Sequence, residues 1–164
     1  MSAVVVNWPF KVVQGGAVNP PTVKAKAVSL LAQREYSRQE LSDKLKAEDA
    51  SPEEIEQALA QLAAKGLVDD ARVVETLVNR RSSKLGASRL RQELQAKGVS
   101  ADMVAETMAE LKGTELARAR GVWEKKFGLL ASSASERNKQ ARFLASRGFS
   151  GDVVRQVVSG LSED

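Results

Sequence analysis

The residues best suited to chemistry in this sequence are basic, and they are concentrated in two stretches. The segment 79–97 contains six basic side chains and a single acid, Glu93. A second segment, 139–150, reads KQARFLASRGFS and combines cations with Phe143 and Phe149. Guanidinium and ammonium groups bind carboxylates and phosphates, and an aromatic ring beside them can stack on a base. The two stretches therefore predict contact with an acidic partner, either protein or nucleic acid.

Composition excludes several kinds of catalysis and ligand binding. The 164 residues contain no Cys and no His, which rules out disulfides, thiolate nucleophiles, Cys/His zinc sites and histidine acid–base catalysis. No glycine-rich phosphate-binding loop is present. The acidic residues are expected on exposed helix faces and at helix caps rather than in a pocket. We therefore predict a protein that is not an enzyme and that uses no cofactor and no metal.

Hydropathy gives an expectation about location. No apolar run approaches the ~20 residues needed to span a bilayer. The three valines at positions 4–6 are too few for the core of a signal peptide, and no basic region precedes them. We expect a cytoplasmic protein that is monomeric and has no membrane partner.

Leucines at a spacing of about fifty residues indicate an internal repeat. Leu45, Leu94 and Leu144 are 49 and 50 residues apart, and each is followed six residues later by a serine. Apolar residues then recur at intervals of three or four, as on one face of a helix. A further amphipathic segment precedes each of these pairs. The pattern predicts an all-α fold of nine helices, arranged as three tandem three-helix repeats in an elongated, curved array.

The net charge changes along this array. We place the repeats at 22–69, 70–112 and 113–164, after an N-terminal extension, residues 1–21, that we expect to be poorly ordered. Repeat 1 has seven basic and nine acidic residues, for a net charge of −2. Repeat 2 has eight and six, for +2, and repeat 3 has nine and six, for +3. Such a gradient fits an oriented partner of uneven charge, or simply a soluble surface.

Signals for helix ends recur at equivalent places in the repeats. Ser37 and Glu40 have the spacing of a capping box. A left-handed residue is expected after the second helix of each repeat, at Asp49, Gly98 and Gly148. Asp69 and Asp70 are expected to cap the helix that follows them.

The second helix of repeat 3 can be analysed by helical angle, at about 100° per residue. Gln140 and Leu144 define the inward stripe, and Phe143 lies at its edge, where core packing is the favoured role. Lys139 and Arg142 point outward. Their counterparts are acidic in repeat 1 and become basic along the array. Partner contact and simple solvation both remain open for this pair.

The other cations form three groups. One surrounds the glycine-containing loop at Gly86, where several side chains are expected to converge on one exposed edge. Lys125 and Lys126 form a smaller patch beside aromatic residues. Arg147, like Lys97, occupies a last-turn position where a cation stabilises the helix dipole by ~0.3–1 kcal/mol. The helix dipole is the favoured role there, and Arg147 is also a candidate for partner contact.

Three segments resemble the RecX family of bacterial regulators of the RecA recombinase. They read LLAQREYSRQELSDKL followed by GLVDDARVV, then NRRSSKLGASRLRQELQAKGVS, and finally KKF with KQARFLASRGFS. The resemblance covers roughly residues 23–161. Tyr36 stands where the family often has His, and Val73-Val74 where Phe-Ala is usual, which leaves the fold assignment unaffected.

The resemblance implies a non-enzymatic protein that binds the RecA filament on single-stranded DNA. It implies binding in the helical groove of the filament, across neighbouring subunits, with suppression of ATPase, strand-exchange and co-protease activities. The candidate contacts to the filament or to DNA phosphate are Arg80, Arg81, Lys84, Arg89, Arg91, Lys125, Lys126, Lys139, Arg142 and Arg147.

A DNA-binding helical-repeat protein is the alternative function. In a helix-turn-helix protein the recognition helix enters the major groove. The third helices of repeats 1 and 2 instead carry carboxylates, which phosphate would repel: Glu53, Glu54, Glu56, Asp102, Glu106 and Glu110. Weak, salt-sensitive contact with DNA phosphates through the basic patch of repeat 2 remains open.

Overall fold

The computed structural model describes residues 19–161 and contains nine α-helices and no strand within that range. Most of the predicted N-terminal extension, residues 1–18, lies outside the described residues. The helices are α1 (Val23–Leu31), α2 (Arg38–Lys46), α3 (Pro52–Ala64), α4 (Asp70–Arg81), α5 (Ala87–Ala96), α6 (Ala101–Lys112), α7 (Glu115–Lys126), α8 (Ala134–Ser146) and α9 (Gly151–Ser159).

The helices form three consecutive units of three, each with its own apolar core. The first and third helices of units 1 and 3 pack closely against each other, whereas α4 in unit 2 packs mainly on α5. Leu45, Leu94 and Leu144 are fully buried at equivalent places in the three cores. The prediction of an all-α fold with three tandem three-helix units is confirmed.

One core position holds a polar residue that the other units replace with leucine. Gln140 is buried where units 1 and 2 have Leu41 and Leu90. Its Oε1 accepts a hydrogen bond from Trp123 Nε1 at 2.8 Å, and its Nε2 donates to the Leu129 carbonyl at 3.1 Å. A buried amide is tolerated when its polar atoms are paired in this way. Gln140 therefore fixes the α7–α8 loop of unit 3 to the core.

The predicted capping box and left-handed positions are also confirmed. Ser37 and Glu40 form a capping box at the start of α2. The C-terminal turns of α2, α5 and α8 each contain one residue with positive φ, at Asp49 (61°), Gly98 (70°) and Gly148 (88°). Equivalent helices therefore end with the same backbone geometry, and only repeat 1 achieves it without glycine.

Consecutive units meet at two equivalent contacts, which we call joint 1 (units 1 and 2) and joint 2 (units 2 and 3). In each joint, the start of a second helix packs on the turn that follows the second helix of the next unit. The start of α2 thus meets the turn after α5, and the start of α5 meets the turn after α8. At joint 1 the Ser37 hydroxyl donates a hydrogen bond to the Lys97 carbonyl. At joint 2 the Gly86 amide donates to the Arg147 carbonyl at 2.9 Å. Every hydrogen bond between units in residues 19–161 joins consecutive units, so the units form a linear array.

A carboxylate from the following unit caps the second helix at each joint. Asp70 Oδ1 accepts a hydrogen bond from the Arg38 amide at 2.8 Å. Glu115 Oε1, which is buried, accepts from the amides of Ala87 at 3.2 Å and Ser150 at 3.3 Å. The prediction that Asp70 caps its own helix was wrong, because Asp69 does so and Asp70 reaches back to unit 1.

An arginine in the first turn of α4 and of α7 also ties consecutive units together. Arg72 Nε donates to Glu35 Oε1 at 2.6 Å, before the start of α2. Arg118 Nη1 donates to the carbonyls of Ser82 and Leu85 at 2.9 and 2.7 Å, before the start of α5. Burial lowers the pKa of Arg118, an effect that the nearby Glu115 carboxylate partly opposes. Both joints therefore use an acid at the first position of the following unit's first helix and an arginine in its first turn.

Candidate partner-binding surface

All ten cations singled out in the sequence are at the surface, and nine of them are exposed. Arg147, the C-cap residue of α8, is half-buried. The others end or follow α4, lie in the first half of α5, end α7 or lie along α8. In chain order they are Arg80, Arg81, Lys84, Arg89, Arg91, Lys125, Lys126, Lys139 and Arg142.

The basic patch of unit 2 is divided between the two joints rather than gathered on one edge. Arg80 and Arg81 line a cleft of about 220 Å³ at joint 1. Arg89 packs against Gly148 at joint 2, where a Cβ atom on that glycine would lie 2.5 Å from Arg89 Cγ. Gly86 is itself buried within joint 2. Local sequence could not reveal this division, because it depends on which neighbouring unit each side chain meets.

Most of the cations at joint 1 already have an intramolecular acid. Glu40 Oε1 lies 3.2 Å from both Arg34 Nη2 and Lys97 Nζ. Arg81 Nη2 lies 2.6 Å from Glu93 Oε1. Burial alone would raise the pKa of Glu40, but hydrogen bonds from Ser37, Arg34 and Lys97 outweigh it and hold that pKa below its ordinary value. The carboxylates therefore neutralise much of the positive charge in this cleft.

Unit 3 has an aromatic group at the place where unit 2 has an acid. Phe143 occupies the position of Glu93 and is half-buried, in edge-to-face contact with Phe127 at 5.3 Å. The Arg147 guanidinium lies 4.5 Å from the Phe143 ring centre, and Lys126 Nζ lies 5.9 Å from it. These distances are within the range of cation–π attraction. Phe143 packs at the edge of the core, as predicted, and the two cations Lys126 and Arg147 also lie beside its ring.

Lys139 and Arg142 lie on the outer face of α8, as the helical angle predicted. Both are exposed, and neither forms an ion pair with an acid in residues 19–161. Hydrogen bonds from Ser132 lower the pKa of Glu136, and Lys139 adds a smaller electrostatic contribution. The pair is therefore available to a partner without breaking an internal ion pair.

Sequence reasoning missed the residues that set the spacing between the units. Asp70 and Arg72 at joint 1 correspond to Glu115 and Arg118 at joint 2. A signal was present, because an acid begins the first helix of units 2 and 3 and an arginine follows two or three residues later. Their cross-unit role became visible only when the units were placed together.

Two further classes of site are absent from the described range. No helix in residues 19–161 is both long enough and apolar enough to cross a membrane. Within the same range, no three acidic side chains converge as a metal site would require.

The fold and surface define a class of protein: a tandem array of three-helix units with exposed cations on units 2 and 3. The models of the first, second and third three-helix domains of RecX match residues 24–62, 69–108 and 114–158. The chain belongs to the RecX family of regulatory proteins.

Individual relatives agree with this assignment. The chain is 46% identical to the regulatory protein RecX of Leptothrix cholodnii over 137 residues, covering 84% of this chain and 87% of that protein. It is 40% identical to that of Chromobacterium violaceum over 148 residues, covering 90% and 96%. The crystal structure of RecX from Lactobacillus salivarius has the same fold, with a TM-score of 0.71, 23% identity, and coverage of 85% of this chain and 94% of that one.

Proposed function

We propose that this protein is a non-enzymatic regulator that binds the RecA filament on single-stranded DNA, in the helical groove of the filament. Bound there, it inhibits the ATPase, strand-exchange and co-protease activities of RecA. Membership of the RecX family, with matches in all three units, is the observation that carries the proposal.

The linear arrangement of the units supports this mode of binding. A ligand that crosses several filament subunits needs length more than it needs a deep pocket. Exposed cations occur on both unit 2 and unit 3, so acidic surfaces on successive subunits could be engaged together. Each further contact is then made at a high effective concentration, which raises the overall affinity.

Sequence-specific DNA recognition is less well supported. The third helices α3 and α6 expose the carboxylates that a recognition helix would have to bring against phosphate. Glu53 and Glu56 on α3 and Glu106 and Glu110 on α6 are all exposed. Such charges oppose entry into a groove of DNA.

The proposal is tested with purified RecA from the same organism. We expect DNA-dependent ATP hydrolysis to fall at substoichiometric to stoichiometric amounts of this protein, which should also co-sediment with the filament. The double variant Lys139→Glu/Arg142→Glu should inhibit less, because it reverses two unpaired outward charges, while its far-UV circular dichroism stays unchanged.

Two outcomes would count against this reading. Unchanged hydrolysis together with no co-sedimentation would contradict the proposed function. A loss of helical content in the double variant would instead assign Lys139 and Arg142 a structural role.

A further inference from the structure

The two joints share a backbone geometry but differ in charge. Glu40 is the third residue of α2, and Arg89 is the third residue of α5. Lys97 and Arg147 are the C-cap residues of α5 and α8, which receive those helix starts. At joint 1 the arrangement produces the Glu40–Lys97 ion pair at 3.2 Å. At joint 2 the corresponding residues are both cations, Arg89 and Arg147.

A second carboxylate is replaced in the same region. Arg81 and Lys126 are the last residues of the equivalent twelve-residue helices α4 and α7. Arg81 pairs with Glu93 in unit 2, whereas Lys126 meets Phe143 in unit 3. Joint 2 has thus lost both of the acids that neutralise the equivalent cations at joint 1.

The three cations left by these replacements, Arg89, Lys126 and Arg147, are called the joint 2 cation cluster. None of them forms an ion pair with an acid in the described part of the chain. The Nε atom of Arg147 is buried and has no hydrogen-bond partner there. An unmatched buried donor is unfavourable, and no acceptor in residues 19–161 offsets that cost at Arg147.

The orientation of Arg147 suits a carboxylate. Its guanidinium lies against the Phe143 ring, which restricts its rotation. A planar guanidinium held in one orientation can form two parallel hydrogen bonds to a carboxylate with little further loss of entropy. Arg89 approaches from the neighbouring unit and packs on Gly148, the residue after Arg147.

We propose that the joint 2 cation cluster binds an aspartate or glutamate side chain of the protein partner, which takes the place of the Glu40 and Glu93 carboxylates of joint 1. The chain itself provides the precedent, because carboxylates occupy the equivalent positions one unit earlier. This inference deepens the proposed function and rests on it for the identity of the partner.

The variant Arg89→Glu tests the idea because it recreates the charge arrangement of joint 1. The new glutamate would pair with Arg147 and would lie in the first turn of α5, where an acid favours the helix dipole. We expect the melting temperature to stay equal or rise, while affinity for RecA filaments on poly(dT) falls at least about tenfold. Arg137→Glu is the matched control, since it makes the same charge change at an exposed site on α8 and should alter affinity by less than about twofold.

Direct titrations separate this inference from the proposed function. Hexaglutamate peptide should shift the Arg147 Nε–H signal of the wild-type protein in NMR spectra but not that of Arg89→Glu, and a dT20 oligonucleotide should not compete. If the wild type failed to bind RecA filaments, the proposed function would be contradicted. The hexaglutamate titration would still decide whether the joint 2 cation cluster binds carboxylates.

Three results would overturn the inference. One is wild-type filament affinity in Arg89→Glu, and another is an equal loss of affinity in Arg137→Glu. The third is stronger competition by dT20 than by hexaglutamate, which would make phosphate the ligand. If Arg89→Glu failed to fold, Arg147→Gln would replace it, with the same tenfold loss expected and wild-type affinity again contradicting the idea.

Discussion

Joint 1 and joint 2 hold the same pair of elements together, the start of one helix and the turn after another, through different interactions. Joint 1 is held by side chains: the Ser37 hydroxyl, and Glu40 between Arg34 and Lys97. Joint 2 brings backbone against backbone at Gly86 and Gly148, and adds a buried acid, Glu115. The two joints therefore share one backbone geometry. Joint 1 depends on ion pairs, which salt and pH can weaken, whereas joint 2 depends on the steric fit of backbone against backbone.

The difference also bears on function. Because joint 2 is held by backbone contacts, by Glu115 and by the half-buried Arg118, its exposed cations are not needed to hold the units together. Those of joint 1 are largely engaged in internal ion pairs. Unit 3 can therefore present unpaired cations to a partner at little cost to the fold.

The largest effect is expected from Gly86→Ala. An added Cβ atom would lie 2.2 Å from the Phe149 amide nitrogen and 2.3 Å from the Gly148 carbonyl, so backbone would have to move. We expect the free energy of unfolding to fall by about 2–3 kcal/mol. Urea denaturation followed by circular dichroism measures this change.

Gly113→Ala is the matched control, since a Cβ there meets no atom within 4 Å. It should leave the unfolding midpoint nearly unchanged. Equal midpoints for the two variants would show that joint 2 is not limited by steric fit.

An intermediate effect is expected at joint 1 from Glu40→Gln. The variant loses the charge that pairs with Arg34 and Lys97, and we expect it to be less stable at pH 7 by about 1 kcal/mol. Because the pKa of Glu40 is lowered in the folded state, its ionic stabilisation is fully present above the ordinary glutamate value of about 4.3 and disappears as the pH falls through the lowered pKa.

The difference between Glu40→Gln and the wild type should therefore shrink in acid, as measured by thermal unfolding across pH. Glu75→Gln, which changes an exposed acid without a described ion pair, serves as the control. A constant difference from pH 7 into acid would mean that Glu40 acts through its shape and not its charge.

The smallest effect is expected from Asp49→Gly. Asp49 has a φ of 61° and is exposed, so glycine would relieve strain without losing a packing contact. We expect a gain of about 0.5 kcal/mol in the free energy of unfolding.

The reciprocal change Gly98→Asp should be destabilising, because its Cβ would lie 2.4 Å from Gln39 Cβ across joint 1. Thermal unfolding measures the stability of both variants. A similar loss of stability in Asp49→Gly and Gly98→Asp would contradict this prediction.

Much of each unit could be predicted from the sequence because the relevant interactions are local. The spacing of Leu45, Leu94 and Leu144 fixes the buried stripe of each second helix, and Ser37 with Glu40 fixes a helix start. The outward direction of Lys139 and Arg142 follows from helical angle alone. The site was predicted only as a set of exposed cations, since a sequence does not tell which of them are already paired.

The sequence by itself determined the all-α repeat, the helix ends and the left-handed positions, since these depend on neighbours within a few residues. Only the tertiary structure decided that Gly86 is buried, that Asp70 and Glu115 cap helices of the preceding unit, and that Lys97 meets Glu40 while Arg89 packs on Gly148. These contacts join residues about thirty to sixty positions apart. Whether a surface cation is already paired depends on the side chain that packing brings against it, and for Lys97 that side chain, Glu40, lies in another unit.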